Sequence, residues 1–391
     1  MNERPFLIRA ESVVTPDGVI RDGAVYVEAG RISEVDSAAR LGKRPGGVLE
    51  GAVLMPGFID LHWHGFGGHG LQSGADEARE AVRLVARSGV TTCYAGLGAG
   101  PSIEAIGHAV AGAAEVVGTD TGGARLGGVF MEGPFISVEK KGAWNAANLR
   151  LPDVNELREL VAVSQGRIRR VNVAPELPGA LAFIRAAREA GIAVSLGHSN
   201  ATYEQSLAGV EAGATITNHT YNAMSPLEHR APGLVGATLT SDALLGELIL
   251  DGVHVHPAAA RALLRAKGTA GVALITDGSA ITGMADGEYE FNGRAVVVKD
   301  QSCRLPNGTL AGSVSPFDRD LRNARAWLGA GLVELAALSS GNAARVMGID
   351  GRTGAITTGM DADLVLLDSD LAVLATMVGG RLVYQREEAR V

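Results

Sequence analysis

Short strand-length runs recur through residues 55–350, each followed by an Ala-, Arg- and Glu-rich stretch with helical character. The strand candidates are FIDLHWH (58–64), TTCYAGL (91–97), LGGVFMEG (126–133) and IRRVNVAPE (168–176). AVSLGHS (193–199), ATITNHT (214–220), GELILDG (246–252) and VALITDG (272–278) continue the series. Helical segments such as ELPGALAFIRAAREAG and TYEQSLAGVEAG each run into a Gly, as a helix C-terminus does. Eight strands alternating with helices over ~250 residues is the rhythm of a (β/α)8 TIM-type barrel. A doubly wound open sheet is the alternative. The barrel is preferred because the polar residues of interest fall at the C-terminal ends of many different strands, where barrel enzymes place their sites.

The two chain ends read differently. FLIRAESVV, AVYVEAGRISEV and GVLEG near the start alternate as strands, separated by the turn signals PDG and EAGR. GAITTGMDADLVLLDSD and AVLATMVGGRLVYQ do the same near the end. Neither piece is long enough to carry a core of its own. Both are therefore expected to meet in one small β-sandwich domain, residues 1–54 plus 355–391, flanking a barrel at 55–354. Within the barrel region, residues 280–312 hold a hairpin-like piece, YEFNGRAVVVKDQSCRLPNGTLAGS, too long for an ordinary βα loop. A structured insertion of that kind is expected to shape the pocket.

Composition narrows the function classes. At 46% hydrophobic and 20% charged residues, the chain has ample material for a core and is not of disordered type. Its net charge of −8, with no basic run, argues against a nucleic-acid partner. Cys93 and Cys303 are isolated and form no CxxC, so no disulfide framework is expected. MNERPFLIRAESVVTPDG lacks an apolar leader, and no run of ~18 apolar residues occurs. The expectation is a cytoplasmic protein with no membrane partner.

The chemistry lies in polar residues set into apolar strands. His62 and His64 are two apart in a strand, so their side chains share one face and two imidazoles converge. Glu132, His198, His219 and Asp277 end four further strand candidates, in VFMEG, SLGHS, ITNHT and LITDG. One such residue has a bland structural explanation. Six at equivalent positions are too costly to bury unless they are paired or ligate a metal. A mixed His and carboxylate set suits Zn²⁺, and also Fe, Mn, Co or Ni; no Cys ligand narrows the choice. Such an ion polarises a carbonyl and activates water. Asp277 is placed to carry the proton of that water, or else to serve as one more ligand.

PGFIDLHWHG, MEGPFIS followed by KKGAWN, LGHSNATYEQ, TNHTYNAMSPLEHRAPGLVGA, LDGVHVHP, LITDG and LAGS together resemble the N-acetylglucosamine-6-phosphate deacetylase family of the amidohydrolase superfamily. The resemblance spans nearly the whole chain. It implies hydrolysis of the acetamide of N-acetylglucosamine 6-phosphate, giving glucosamine 6-phosphate and acetate. By the same resemblance, Glu132, His198 and His219 hold a primary divalent ion, and His62 and His64 a second, bridged through Glu132. One or two ions per subunit are thus implied, with Asp277 as general acid/base. Ala143, Trp144, Asn222, Ala223, Arg230 and His254 are implied to contact the phosphosugar. Arg230 is implied to reach the phosphate of a neighbouring subunit, hence a homodimer. Arg230 has the planar fork that suits phosphate, although an exposed Arg is by default only a surface charge.

Trp144 departs from the family pattern, in which a histidine contacts the sugar at this position. Trp donates one N–H and accepts nothing, but offers an apolar face to a sugar ring. Two neighbouring readings therefore stand beside the main one: N-acetylgalactosamine 6-phosphate, or another N-acyl compound, as substrate. A third, from a different class, is a non-catalytic amidohydrolase-like binding module, which the complete ligand set opposes.

Overall fold

Strands fill most of residues 6–56, broken by one short helix at Ala38–Leu41, and beyond them strand and helix alternate to the end of the barrel. The computed structural model describes residues 5–291 and 294–387. Its strands are β1 (Phe6–Thr15), β2 (Gly18–Glu28), β3 (Arg31–Ser37), β4 (Gly47–Pro56), β5 (Phe58–Trp63), β6 (Gly65–Phe66) and β7 (His69–Gly70). β8 (Val90–Leu97), β9 (Arg125–Met131), β10 (Ile168–Val173), β11 (Ala193–Leu196), β12 (Ile216–Thr217), β13 (Leu245–Ile249) and β14 (Val272–Ile275) follow. The last are β15 (Gly287–Phe291), β16 (Arg294–Lys299), β17 (Ser302–Arg304), β18 (Leu364–Leu367), β19 (Val373–Val378) and β20 (Arg381–Gln385). Among the described residues no helix is long and apolar enough to cross a membrane.

Eight of these strands form one parallel sheet in the order β14-β13-β12-β11-β10-β9-β8-β5, which is chain order read backwards. That is the succession of a (β/α)8 barrel, with helices such as Ala75–Val85, Val154–Val163 and Pro257–Lys267 between successive strands. The helices start where the sequence supplies acceptors for free N–H groups. Asp153 caps Val154–Val163, and Thr202 with Gln205 forms a capping box on Tyr203–Ala212. The latter ends at Gly213, as expected.

The barrel closes where the site lies. β5 and β14 share no ladder; their seam is made by a few specific bonds. Asp277 N–H donates to His62 O at 2.9 Å, and His64 N–H to Gly278 O at 2.6 Å. Below them, the Asp60 carboxylate accepts from Thr276 Oγ1 (2.6 Å), Thr276 N (3.3 Å) and His62 N (3.2 Å). One side chain thus substitutes for missing ladder bonds. Complete burial pushes Asp60 up to about 7, despite the hydrogen bonds that favour its charged form.

Both chain ends meet in a seven-stranded sheet, β20-β19-β18-β4-β1-β2-β3. β4 pairs parallel with β1 and antiparallel with β18, so the first and last segments are stitched at its centre. Alternation sorts the side chains. Val53, Met55, Val365 and Leu367 join the large core of the barrel helices. Leu54, Leu364 and Leu366 pack instead with Ile8, Val25 and Val27 in the sheet's own core. An ion pair anchors the sheet to β9: Arg125 Nη1 donates to the buried Asp363 Oδ2 at 2.7 Å.

The eight strand candidates are the eight barrel strands, but several end earlier than their apolar runs indicate. Glu132 follows β9 directly, while His198, His219 and Asp277 each lie two residues past β11, β12 and β14. The late insertion is a three-stranded sheet, β15-β16-β17, and Ala143 packs against the cluster it forms.

The seam gives a stability prediction. Asp60→Ala leaves Thr276 N–H, Thr276 Oγ1 and His62 N–H unpaired in a dry interior, which costs about 3 kcal/mol or more. Urea denaturation measures it; a variant within about 1 kcal/mol of the parent would show that Asp60 does not hold the seam.

Candidate metal centre

The six residues singled out at strand ends converge. His62, His64, Glu132 and Asp277 bring one ligand atom each within 4.8 Å of one another, and so do Glu132, His198 and His219. Glu132 belongs to both groups. Its Oε1 lies 3.2 Å from His62 Nε2, 3.0 Å from His198 Nε2 and 3.3 Å from His219 Nε2. Its Oε2 lies 3.4 Å from His64 Nε2. Asp277 Oδ1 faces the same pair of histidines, 3.5 Å from His62 Nε2 and 3.2 Å from His64 Nε2. All are buried except Asp277, which retains 15% side-chain exposure toward the mouth.

The far nitrogens of the rings decide what the near ones present. His64 Nδ1 lies 2.8 Å from Gly96 O, and His198 Nδ1 lies 2.7 Å from Lys140 O. A carbonyl only accepts, so each Nδ1 carries the hydrogen. His62 Nδ1 lies 3.2 Å from Glu247 Oε2, a carboxylate, and is a donor on the same ground. In their neutral forms these three rings therefore aim bare Nε2 lone pairs at carboxylate oxygens. His62 Nε2 is buried without a hydrogen-bond partner, as is His219 Nδ1. Lone pairs converging on anionic oxygens repel unless positive charge lies among them, so a divalent cation fits this donor set. The same field acts on protons. Burial opposes charge on His62, but Asp277 and Glu132 drive its ring up to about 10. Glu132 is held well below the usual carboxylate range, because His62, His198 and His219 outweigh the cost of burying it.

The backbone is bent to achieve this. His198 (φ 48°), His219 (φ 25°) and Asp277 (φ 50°) all occupy left-handed conformations. Each L-residue there costs of order 1 kcal/mol or more, and such outliers cluster at functional sites. A left-handed residue also ends a strand, which is why β11, β12 and β14 stop short of their apolar runs.

A cavity of about 320 Å³ opens above the cluster, lined by Ala143, Trp144, Asn222, Ala223 and His254 among others. Residues 309–312, after the three-stranded insertion, form one wall. Trp144 fits against Gly98, where a Cβ would lie 1.7 Å from the indole. Its ring meets His64 edge-on at 6.2 Å between centroids. Gly98 is thus the residue that admits so large a side chain. Asn222 donates through Nδ2 to His219 O at 3.2 Å, tying the turn to the cluster. Arg230 is exposed, and it does not line its own chain's cavity. His256, two residues past His254, is structural: its Nδ1 accepts from Ala258 N and caps Pro257–Lys267.

Three charged residues in this layer were not anticipated. Asp251 Oδ2 lies 2.7 Å from His254 Nδ1 and also accepts from Ser313 Oγ at 2.9 Å. Glu247, in β13, supports His62, and Arg170, in β10, is fully buried against Glu247. Each stands in a strand candidate or at its end (IRRVNVAPE, GELILDG), so the cost of a buried charge was a signal available for them too.

Residues 53–383 match the model of the amidohydrolase family. The chain is 34% identical over 381 residues to N-acetylglucosamine-6-phosphate deacetylase of Lysinibacillus sphaericus, covering 97% of this chain and 98% of that protein. It is 35% identical to N-acetylgalactosamine-6-phosphate deacetylase of Escherichia coli O157:H7, covering 96% and 98%. Among solved structures, a variant of N-acetyl-D-glucosamine-6-phosphate deacetylase from Mycobacterium smegmatis, in complex with N-acetyl-D-glucosamine-6-phosphate, superposes with a TM-score of 0.92. That match has 34% identity and covers 97% of this chain and all of the other.

The Asp251–His254 pair carries a pH prediction. Burial would raise Asp251, but the hydrogen bond and charge of His254 bring it down to about 2. Burial would lower His254, but Asp251 raises it above 6.5. A lowered acid contributes stability above its ordinary 3.8, lost as pH falls toward 2; a raised base contributes below 6.5, lost as pH rises through its folded value. Asp251→Asn should therefore cost about 2 kcal/mol between roughly pH 4 and 6.5, and less as the medium turns alkaline. Melting curves across pH check this; a deficit of constant size from pH 5 to 9 rejects the charged pair.

Proposed function

This chain belongs to the amidohydrolase family, and from that membership we infer that it hydrolyses the acetamide of N-acetylglucosamine 6-phosphate. The products are glucosamine 6-phosphate and acetate. The observation that carries the reading is the set of imidazole lone pairs turned on Glu132 and Asp277 beneath a pocket of sugar size. Such a site is built for a divalent ion and for the C–N bond above it.

Glu132, His198 and His219 would hold a primary ion, with His62 and His64 completing a second position through Glu132. A divalent ion supplies Lewis acidity toward the acetamide carbonyl and lowers the pKa of water at the site. Zn²⁺ is the proposed ion, and the N and O donors also accommodate Fe, Mn, Co or Ni. The rest of the chemistry belongs to the chain. Burial would raise the Asp277 carboxyl, but His62 and His64 beside it hold it below the ordinary carboxylate range, which keeps it available as a base. Its Oδ1 accepts a proton as water adds to the acetamide carbon, then delivers it to the sugar nitrogen as the C–N bond breaks. His254, oriented by Asp251, offers a ring N–H to the substrate, and Trp144 gives an apolar face to the sugar ring. Asn222 and Ala223 contribute the turn at the opposite side of the pocket.

Arg230 is assigned to the phosphate of a neighbouring protomer in a homodimer. Its exposure and its absence from the lining of its own chain's pocket support that role. Specificity at C4 of the sugar admits a second reading, N-acetylgalactosamine 6-phosphate, favoured by Trp144 in the wall of the pocket. A non-catalytic binding module is opposed by the complete cluster and by Asp277.

A substrate panel tests the reading. The purified protein should release acetate from N-acetylglucosamine 6-phosphate far faster than from unphosphorylated sugars or simple amides. Faster turnover of those compounds would overturn the assignment. Asp277→Asn should retain its metal content while kcat falls by about 10²-fold or more, the scale of a lost proton-transfer group. A near-parental rate removes Asp277 from the chemistry. Arg230→Ala should raise KM for the phosphorylated substrate about tenfold or more and leave kcat nearly unchanged. An unchanged KM takes Arg230 out of the phosphate site.

A further inference from the structure

Beneath the candidate metal centre lies a second polar layer that hydrolysis itself does not use. Arg170 is fully buried in the barrel, its guanidinium 4.0 Å from the Phe130 ring centroid. Every arm of its fork is committed. Nε donates to Ser195 Oγ at 3.3 Å, Nη1 to Leu61 O at 3.1 Å and to Glu247 Oε1, and Nη2 to Asn218 Oδ1. Glu247 is equally saturated. Its second oxygen, Oε2, accepts from His62 Nδ1 at 3.2 Å and from the backbone N–H of His219 at 3.2 Å. Burial alone would raise Glu247, but Arg170 and His62 bring it down to about 2.

The two residues divide the work. Without Arg170, a carboxylate at this depth would be an unpaired charge in the barrel interior. Without Glu247, the only acceptors facing the His62 ring would be Glu132 and Asp277 at Nε2, which draw the hydrogen to that nitrogen and away from Nδ1. His198 and His64 have their Nδ1 hydrogens fixed by backbone carbonyls, which the fold supplies automatically. His62 alone of these three depends on a side chain. We propose that Glu247, held in place by Arg170, is the positioning residue that turns the His62 Nε2 lone pair toward Glu132 and so creates the second divalent-ion position of this chain. This rests on the reading of the cluster as a metal centre and goes beyond it, because it names the contact that decides between one ion and two.

The test is Glu247→Gln. A glutamine keeps the shape but turns one oxygen into NH₂. If that NH₂ faces Arg170, donor meets donor. If it faces His62 and His219 N–H, two donors lose their acceptor. The charge of Arg170 favours oxygen on its own side, so the NH₂ falls against His62 Nδ1 and forces the hydrogen onto Nε2, which removes the lone pair.

Full-length protein is stripped with a chelator and titrated with Zn²⁺ against a chromophoric competitor, with bound metal counted by mass spectrometry. The parent should bind two equivalents. Glu247→Gln should bind the first with parental affinity and the second about 10–100-fold more weakly, or not at all. Two ions at parental affinity overturn the proposal, and so does equal weakening of both, which marks a merely structural role. If Glu247→Gln does not accumulate folded, Glu247→Asp serves. It keeps the charge opposite Arg170 but draws the carboxylate away from His62, and should show the same selective loss; its retention of both ions at parental affinity overturns the proposal. A parent that binds one equivalent overturns this inference and leaves the deacetylase reading intact. A parent that binds none overturns the deacetylase reading itself.

Discussion

Everything at the barrel mouth answers to one electrostatic problem: Glu132, a carboxylate only 3% exposed, faces ring nitrogens whose hydrogens are engaged elsewhere. Removing such a carboxylate from water costs several kcal/mol, and imidazole lone pairs do nothing to recover it. Only positive charge inside the cluster balances the arrangement. Other features then follow as means to that end. The left-handed backbones of His198, His219 and Asp277 re-aim side chains that a strand would send elsewhere. The carbonyls of Gly96 and Lys140 and the carboxylate of Glu247 fix the tautomers. Bonds across the β5–β14 seam hold His62 and His64 against Asp277.

Seam and site are therefore one structure. A parallel barrel must join its first and last strands, and a regular ladder would do so without involving any side chain. Here the join is made by Asp60 on Thr276, then by Asp277 N–H on His62 O and His64 N–H on Gly278 O. The two elements that must be in register for the barrel to close carry the two histidines and the acid/base candidate. The contacts that close the fold also bring this half of the centre together.

Much of this was legible in the sequence, for a definite reason. The eight apolar runs gave the barrel strands in their order, and both terminal segments gave the extra sheet, because alternation and length report burial directly. His62, His64, Glu132, His198, His219 and Asp277 stood out because ligand-competent side chains interrupt those runs at a shared position. Strand ends were less legible: an apolar residue next to a turn reads the same whether its backbone is extended or left-handed. Arg170, Glu247 and Asp251 were missed because supporting charges look like isolated exceptions until their partners are known. Arg170 and Glu247 are 77 residues apart, and no local pattern links them.

What separates this pocket from a generic amide-hydrolysing site is its upper half, where Trp144 and Gly98 form a matched pair. The indole occupies the volume that a β-carbon on residue 98 would need, so neither position tolerates ordinary substitution while the other stays. Trp144 is also clasped from outside. Lys141 Nζ donates to Trp144 O at 3.3 Å, and Arg294, from the late insertion, donates to Ala143 O at 2.6 Å. The insertion therefore holds the segment that bears the Trp144 ring, besides walling the cavity. A large, weakly polar side chain fixed on both sides discriminates by shape, since it has one N–H to give and no acceptor. Fit against the indole face is a matter of shape, whereas the cluster below is governed by charge. The polar cluster and the wall of the pocket above it meet where Trp144 packs edge-on with His64 and where Asn222 donates to His219 O.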